Sequence, residues 1–462
     1  MLGIISLPTS ARLPNTAVTL LAMAGIALSG FSQANAPPVL EGKGSQLGFS
    51  IASVPDTNGD GWEEILAGAP FFKAEQPGYV ALYSGQDGAL IHTFAGRSAG
   101  DAFGISVGCA GDTNGDGAVD YVMGAFSWQK AVQSFKNPAE DNGYVQVFSG
   151  LDYSLLLTIE SPIIPVQFGW KVGTIGDVNA DGKSDLFVAA PETDLRYDHT
   201  RGHVFIYSGL DGALLRDIEG KGYDDGFGYS LSALCDMDGD GVKDAIIGAP
   251  LGARNPDGTR IAYVGVYSTQ TGECLTSIDG PRQANGFGRE LIGIADQDGD
   301  RKCDIVVGAD CQLISHSNCL WLIKSSTWQA SPVGSIQAHI ARKQHGICAV
   351  VDQDGDGVED LLTALRPDGS SLVARIQSLS RSWAAANSIE IQAYSLPPFD
   401  FVSVAIVHQS ANPTHASAIA VGLPGALTGG ESNAQANGLV LVGRMDTGAI
   451  LWTQLGAGLA QQ

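Results

Sequence analysis

Positive charge is scarce in this chain of 462 residues: 26 Lys and Arg stand against 49 Asp and Glu, a formal net charge of −23. That balance leaves little for a basic surface and excludes nucleic-acid binding driven by phosphate contacts. Long hydrophobic runs are also scarce. The longest, residues 17–31 (AVTLLAMAGIALSGF), falls short of a comfortable membrane span. Lying behind Arg12 and ahead of Ala34-Asn35-Ala36, it reads as an export signal over residues 1–36, with Pro37 favouring a cut after Ala34 instead. No later run is long enough to span, and the chain ends at Gln462. A mature chain over 37–462 is therefore expected outside the cytoplasm, secreted, periplasmic or at the cell surface, with no membrane span. Cysteine is limited to seven residues, an odd number with no CxxC spacing and no histidine partners, which excludes a zinc site. Cys311 and Cys319 flank a short connection between two strand patterns and could cross-link it; the other cysteines read as buried small apolar residues. The eight histidines are scattered, and neither a His-Glu-x-x-His motif nor a Gly-x-Ser-x-Gly nucleophile elbow is expected.

Against these absences, one acidic pattern recurs six times: Asp-x-[Asp/Asn]-x-Asp-Gly-x-x-[Asp/Glu]. The loops run over 56–64, 112–120, 177–185, 236–244, 296–304 and 352–360. Alternate oxygen-bearing side chains on a glycine-tightened turn converge on one point, the arrangement a hard divalent cation needs, and Ca²⁺ fits it best. An EF-hand would place a Glu at the twelfth position, where this chain has Ala67, Met123, Val188, Ile247, Val307 and Thr363. The sixth position, which permits the sharp turn, is Gly61, Gly117, Gly182, Gly241 and Gly357 but Arg301 in the fifth loop, so the site at 296–304 is expected to be the weakest.

The loop-opening aspartates at 56, 112, 177, 236, 296 and 352 repeat with a period near 60. Eight residues before each of the first five loops stands a Phe-Gly-like pair: Leu47-Gly48, Phe103-Gly104, Phe168-Gly169, Phe227-Gly228 and Phe287-Gly288. The sixth unit has only His345-Gly346. After each loop comes a short β-rich run ending in Gly-Ala-Pro or a variant, as at 65–70 and 245–250. Two further β-rich runs follow, joined at 84–88 and 208–212 by Ser-Gly-x-Asp-Gly. A seventh unit keeps Gly422-Leu-Pro424 and its apolar runs but has Ser410, Asn412, Thr414 and Ala418 where the acidic loop should stand, and is expected to bind no metal. Four short strands per unit, seven units and no domain-sized linker predict an all-β fold: a seven-bladed β-propeller of four-stranded antiparallel blades over 37–462. Val39-Leu40-Glu41-Gly42 resembles the end of a unit and could close the ring by pairing with the last one.

Phe-Gly before the loop and Gly-Ala-Pro after it identify the repeat as similar to FG-GAP. The chain resembles the N-terminal β-propeller of integrin α subunits and, more closely, secreted bacterial FG-GAP proteins. The resemblance is strong in units one to five, weaker in six and weak in seven. It implies calcium held by side chains at loop positions one, three, five and nine and by a backbone carbonyl at position seven. Those positions are Asp56, Asn58, Asp60, Trp62 and Glu64; Asp112, Asn114, Asp116, Ala118 and Asp120; and Asp177, Asn179, Asp181, Lys183 and Asp185. They continue with Asp236, Asp238, Asp240, Val242 and Asp244; Asp296, Asp298, Asp300, Lys302 and Asp304; and Asp352, Asp354, Asp356, Val358 and Asp360. Up to six Ca²⁺ ions, structural rather than catalytic, are implied.

The expected function is a non-catalytic adhesion or ligand-binding module, a monomer that meets a protein or glycan on the rim opposite the metal loops. The connections there are long and carry Trp128 and Phe135 in 126–142, Arg196, Tyr197 and His199 in 192–201, and Arg254 and Arg260 in 253–260. An alternative is an enzyme on a propeller scaffold, such as a calcium-dependent polysaccharide lyase or an esterase.

Overall fold

The structure is a computed structural model. It describes residues 18–22, 45–70, 77–126, 143–162, 167–191, 201–254, 259–282, 284–311, 317–335, 347–350, 360–365, 372–378, 385–393, 403–409, 412–423, 439–444 and 450–455. Its strands fall into seven sheets, each containing a four-stranded antiparallel meander with strands in chain order. Blade 1 is Ser50–Val54, Glu64–Ala69, Tyr79–Tyr83 and Leu90–Ala95. Blade 2 opens at Ser106–Gly111, blade 3 at Lys171–Gly176, blade 4 at Ser230–Ala233, blade 5 at Ala284–Ile294, blade 6 at Ile347–Val350 and blade 7 at Ser403–Gln409. These opening strands neighbour one another in sequence order, and that of blade 7 returns to that of blade 1. The ring is closed, and the chain is a seven-bladed β-propeller.

Apolar side chains from facing blades form the core. One cluster joins Leu66, Val80 and Phe94 of blade 1 to Tyr121, Met123 and Tyr144 of blade 2. Others join blades 2 and 3, 3 and 4, and 4 and 5. A single blade could not bury either face, so stability comes from the stacking.

The two sequence motifs meet at these blade-to-blade contacts. Within a blade, the Phe-Gly glycine donates its N–H to the Gly-Ala-Pro glycine carbonyl, as in Gly48 to Gly68 at 2.9 Å and Gly104 to Gly124 at 3.0 Å. The Gly-Ala-Pro glycine also lies flat against the next blade's Phe-Gly. A Cβ on Gly68 would stand 2.0 Å from the Gly104 carbonyl oxygen, and one on Gly422 2.2 Å from that of Gly48. The contact thus recurs across the closing seam. Leu47, Phe103, Phe168, Phe227 and Phe287 are all fully buried beneath it.

Three readings of the sequence bear on the closing blade and the outer edges of the ring. The closing blade is built from its own four strands, ending with Ile450–Leu455; residues 39–42 lie outside the described residues. Blade 7 also carries no stripped-down acidic loop. Asn412, Thr414 and Ala418 sit within the strand Asn412–Leu423, which pairs with Ser403–Gln409 up to the Gln409 and Asn412 positions. In the apolar run expected to be an export signal, Val18–Ala22 lies parallel to Ala385–Ala393 as a fifth strand on blade 6. Removal of residues 1–36 would leave that blade with the four strands of the others.

The cysteines differ from the sequence reading. Cys235 and Cys303, read as buried apolar residues, form a disulfide with a Cα separation of 5.9 Å. Each stands immediately before a carboxylate of a metal loop, Asp236 in blade 4 and Asp304 in blade 5. The bond therefore staples two neighbouring loops, beside a hydrogen bond from Lys302 Nζ to the Met237 carbonyl at 2.7 Å. Cys274 is exposed rather than buried. Cys311 faces Ser317 in the strand register and Cys319 faces Ala309, so these two positions are offset along the sheet. Closing a loop of this length constrains the unfolded chain, so Cys235→Ser is expected to cost about 2–4 kcal/mol in denaturant titration. Peptide mapping without reductant should recover the 235–303 link; free thiols at both positions would remove the staple.

Candidate functional site: acidic loops on one rim

Each acidic loop joins the first and second strands of its blade, and five of the six are described. Asp352, Asp354, Asp356 and Val358 lie outside the described residues, and Asp360 begins the strand Asp360–Leu365. The other five share one internal hydrogen-bond scheme. The first aspartate accepts backbone N–H groups from further along the turn. Asp56 takes Gly59 at 2.7 Å and Gly61 at 2.9 Å, and Asp296 takes Gly299 and Arg301, both at 2.7 Å. Asp112, Asp177 and Asp236 do the same. The third-position oxygen accepts the N–H of the fifth residue, as Asn58 does from Asp60, Asn114 from Asp116, Asn179 from Asp181, Asp238 from Asp240 and Asp298 from Asp300. The fifth-position carboxylate accepts the N–H of the seventh residue: Trp62, Ala118, Lys183, Val242 and Lys302. These are Asx-type turns in succession, with short acidic side chains closing onto their own backbone.

The ninth position differs in kind. Glu64, Asp120, Asp185, Asp244 and Asp304 are fully buried. Each accepts the N–H of the second loop residue: Thr57 at 2.9 Å, Thr113 at 2.9 Å, Val178 at 2.7 Å, Met237 at 2.7 Å and Gln297 at 2.8 Å. Burial, with the neighbouring carboxylates, pushes Glu64 up to about 7 and Asp244 up to about 6. Asp185 and Asp304 move upward for the same first reason. The solvent-facing first aspartates go the other way: the N–H groups of Gly241 and Gly239 hold Asp236 below the usual range, and that of Arg301 does so for Asp296.

Carboxylate oxygens converge within 4.8 Å of one another in three loops: Asp56, Asp60 and Glu64; Asp236, Asp238 and Asp244; and Asp296, Asp298 and Asp300. One oxygen tests whether a cation fits. In three loops the second oxygen of the ninth residue accepts an N–H from the turn between the third and fourth strands: Gly150 to Asp120 at 3.1 Å, Gly209 to Asp185 at 3.1 Å and Ser325 to Asp304 at 2.7 Å. In blade 4, Asp244 Oδ1 is buried with no hydrogen-bond partner. A buried, unsatisfied carboxylate oxygen beside two further carboxylates is costly alone and suits a divalent cation.

The sequence reading placed the Ser-Gly-x-Asp-Gly turns on the same rim as these loops but did not foresee that a serine of the turn between the third and fourth strands bonds to the acidic loop. Ser84 Oγ donates to Asp60 Oδ2 at 2.7 Å, Ser325 Oγ to Asp300 Oδ2 at 2.8 Å and Ser268 Oγ to Asp240 Oδ2 at 3.4 Å. The recurring serine was the available signal; that it reaches the acidic loop is visible only once the strands are paired. The fourth loop position was also missed. Gly59, Gly115, Gly239 and Gly299 have φ between +79° and +88° there, and Ala180 is held at +61°. The sixth-position glycines lie at +83° to +89°, with Arg301 at +70°. Nothing lies within 4 Å of a Cβ built on Gly61, Gly117, Gly182 or Gly241, so glycine is needed for backbone conformation rather than for space. Relief of that strain is expected to stabilise the loop by about 1 kcal/mol in Arg301→Gly and in Ala180→Gly. Calorimetric calcium titration should show tighter binding at the altered loop; unchanged titrations would remove the sixth and fourth positions as determinants.

On the opposite rim, 127–142, with Trp128 and Phe135, and 192–200, with Arg196, Tyr197 and His199, lie outside the described residues, as does the Arg254 side chain. Arg260 is engaged locally, its Nη1 donating to the Asp224 carbonyl at 2.6 Å. Gly104-Ile105-Ser106-Val107-Gly108 matches the Gly-x-Ser-x-Gly string, but Ser106 opens a strand. It is buried and accepts the N–H of Val172 at 3.1 Å, which is no setting for a nucleophile.

The FG-GAP repeat family matches residues 47–83, 168–207 and 227–264. Integrin alpha-4 of Xenopus laevis is 32% identical over 218 residues, and integrin alpha-V of Gallus gallus is 33% identical over 218 residues. The chain is an integrin-alpha-like FG-GAP β-propeller. The match covers 45% of this chain and about a fifth, 20%, of the length of integrin alpha-4. A solved structure described as "Structure of Dos1 propeller" superposes with a TM-score of 0.42 at 11% identity, over 78% of this chain and 72% of that one, too loosely to bear on function. Among the described residues, no helix of this FG-GAP propeller is long and apolar enough to cross a membrane.

Proposed function

We propose that this FG-GAP propeller is a secreted, non-catalytic adhesion or ligand-binding module whose acidic loops hold structural Ca²⁺. The convergence of three carboxylates in each of three loops, with Asp244 Oδ1 unpartnered, carries the calcium reading. When bound, the ion supplies charge neutralisation and a cross-link within the loop. The chain's own residues do the rest. Backbone N–H groups orient the first, third and fifth side chains, and the buried ninth carboxylate ties the loop to its second strand. Every candidate ligand of a site comes from one local loop, which leaves no open position marked for a substrate. The likeness to integrin alpha subunits supports ligand binding as the role, on the rim away from these loops.

Arrays of glycans and extracellular proteins, probed with the exported chain, test the reading. Retention of one ligand class in millimolar Ca²⁺, lost in chelator and without turnover, is expected. Cleavage of a bound polysaccharide or ester would replace this reading with the enzyme alternative.

A further inference from the structure

The opening strands carry a structural device that blades 3 and 5 lack. Opposite the Gly-Ala-Pro glycine, blades 1, 2, 4 and 7 have Ser50, Ser106, Ser230 and Ser403. Three of these hydroxyls latch onto the next blade. Ser50 Oγ donates to the Gly104 carbonyl at 2.9 Å, Ser230 Oγ to that of Gly288 at 2.6 Å and Ser403 Oγ to that of Gly48 at 2.8 Å. In blades 3 and 5 the same position is Lys171 and Glu290. The ring closes without a serine latch there, and two charged side chains stand in its centre.

Both residues line a cavity of 290 Å³ between the opening strands. Phe49, Trp170, Tyr229 and Arg289, each the residue directly after a Phe-Gly pair, line it too. Because the acidic loops follow these strands and the Phe-Gly pairs precede them, this end of the cavity lies away from the metal rim. Trp170 is fixed in place. Its ring meets Phe126 edge-on at 5.7 Å and Tyr229 at 5.2 Å, and its Nε1 donates to the Tyr229 carbonyl at 3.0 Å. The Arg289 guanidinium lies 5.9 Å from the Tyr229 ring centre. Lys171 is exposed to the cavity; desolvation there lowers its pKa, the Glu290 charge opposes that shift, and a bound anion favours the charged form. With Lys171 protonated, two cations and one carboxylate among the described lining residues leave this wall net positive, in a chain whose formal charge is −23. Such a spot, recessed between low-dielectric walls, draws an anion out of solution.

We propose that this cavity binds a carboxylated sugar ring of monosaccharide size, its carboxylate held by Lys171 and Arg289 and its ring face by Trp170 and Tyr229. The volume is at the small end of ligand cavities, about 300 Å³, which excludes an extended chain. A surplus of one positive charge matches a monoanion, and Glu290 opposes a doubly charged phosphate. Fixed aromatic faces stack on the C–H face of a sugar, while Glu290 is an acceptor for its hydroxyls. The proposal rests on the binding-module reading and names a ligand class for it.

Glucuronate, glucose and benzoate should be titrated against the full chain in Ca²⁺ by calorimetry or saturation-transfer NMR, with Lys171→Ser and Trp170→Ala beside the wild type. Lys171→Ser installs the residue that four other blades use at this position, so its melting temperature should match the wild type. Glucuronate should bind, glucose and benzoate at least about tenfold more weakly, and both variants should lose about tenfold in glucuronate affinity. No glucuronate binding by the wild type at about 10 mM, or equal binding by Lys171→Ser, would overturn the proposal. Array screening of the same proteins separates the two readings. If Lys171→Ser keeps every wild-type array ligand, the cavity site falls and the binding module stands. A blank array beside a positive, Lys171-dependent glucuronate titration supports the cavity for free sugar alone. Capture of glucuronate-terminated glycans extends it to glycan ends.

Discussion

In chelator the protein is expected to melt at least about 10 °C below its melting temperature in millimolar Ca²⁺. The ninth-position carboxylates are fully buried and crowded by other acids, and without a cation that burial drives Glu64 up to about 7 and Asp244 up to about 6. At neutral pH the metal-free protein must either ionise these groups at a cost or hold protons on them. A cation that binds only the folded chain contributes about 1–3 kcal/mol per site at ten to a hundred times its dissociation constant. Several such sites sum to much of the 5–15 kcal/mol that holds an ordinary domain together. Differential scanning calorimetry in EDTA, Ca²⁺ and Mg²⁺ checks this, with Ca²⁺ expected to give the larger shift because the loops offer oxygen ligands on a flexible turn. Superimposable scans in EDTA and Ca²⁺ would end the structural-metal reading. A loss confined to one site is expected for Asp244→Asn, which removes charge where Oδ1 has no protein partner.

Much of this molecule was legible because its constraints are local and repeated. Phe103-Gly104 and Gly124 can be recognised in the chain because close backbone approach leaves no room for a Cβ at Gly124 and a positive φ governs Gly104. The period follows from the same contact recurring in each blade. The acidic loops were legible for a similar reason, since the turn from Asp56 to Trp62 is closed by bonds from its own side chains to its own backbone. What was hidden depends on which residues become neighbours only after the ring forms. Cys235 and Cys303 are 68 residues apart and meet because consecutive loops lie side by side. The Ser84 hydroxyl reaches Asp60 across the blade. Lys171 and Glu290 look like ordinary strand-start charges until their positions are compared with Ser50, Ser230 and Ser403 around the axis. Blade 7 misled in the opposite way. Aligning Ser410 with the loop aspartates assumed a loop of equal length, whereas the strand starting at Asn412 continues the hairpin instead.

Deleting blade 7, by ending the chain before Leu396, is expected to give an aggregated or unfolded product. The core shared by blades 7 and 1 contains Ala405, Val407, Ala418, Ala420, Val440 and Val442 against Leu47, Ile65, Ala67, Tyr79, Ala81 and Tyr83. Removing the blade returns that side of blade 1 to water, and each large apolar side chain re-exposed costs about 1.5–3 kcal/mol. Polar seams are lost as well. His408 donates its N–H to Glu63 Oε2 at 2.9 Å, Glu63 returns its own N–H to the His408 carbonyl at 3.0 Å, and Gln454 Nε2 bonds the Gly88 carbonyl at 2.8 Å. Gly48 would lose the Ser403 latch. The total exceeds the stability of a typical domain, so partial opening offers no refuge. Size-exclusion chromatography with light scattering and circular dichroism on residues 37–395 provides the measurement. Because a truncation can fail for trivial reasons, Val407→Asp in the full chain supplies the matching test: one charge buried in the closing seam should lower the melting temperature sharply while leaving the chain length unchanged. A soluble, cooperatively melting monomer from the truncated chain, together with a wild-type melt for Val407→Asp, would show that the ring does not depend on its seventh blade.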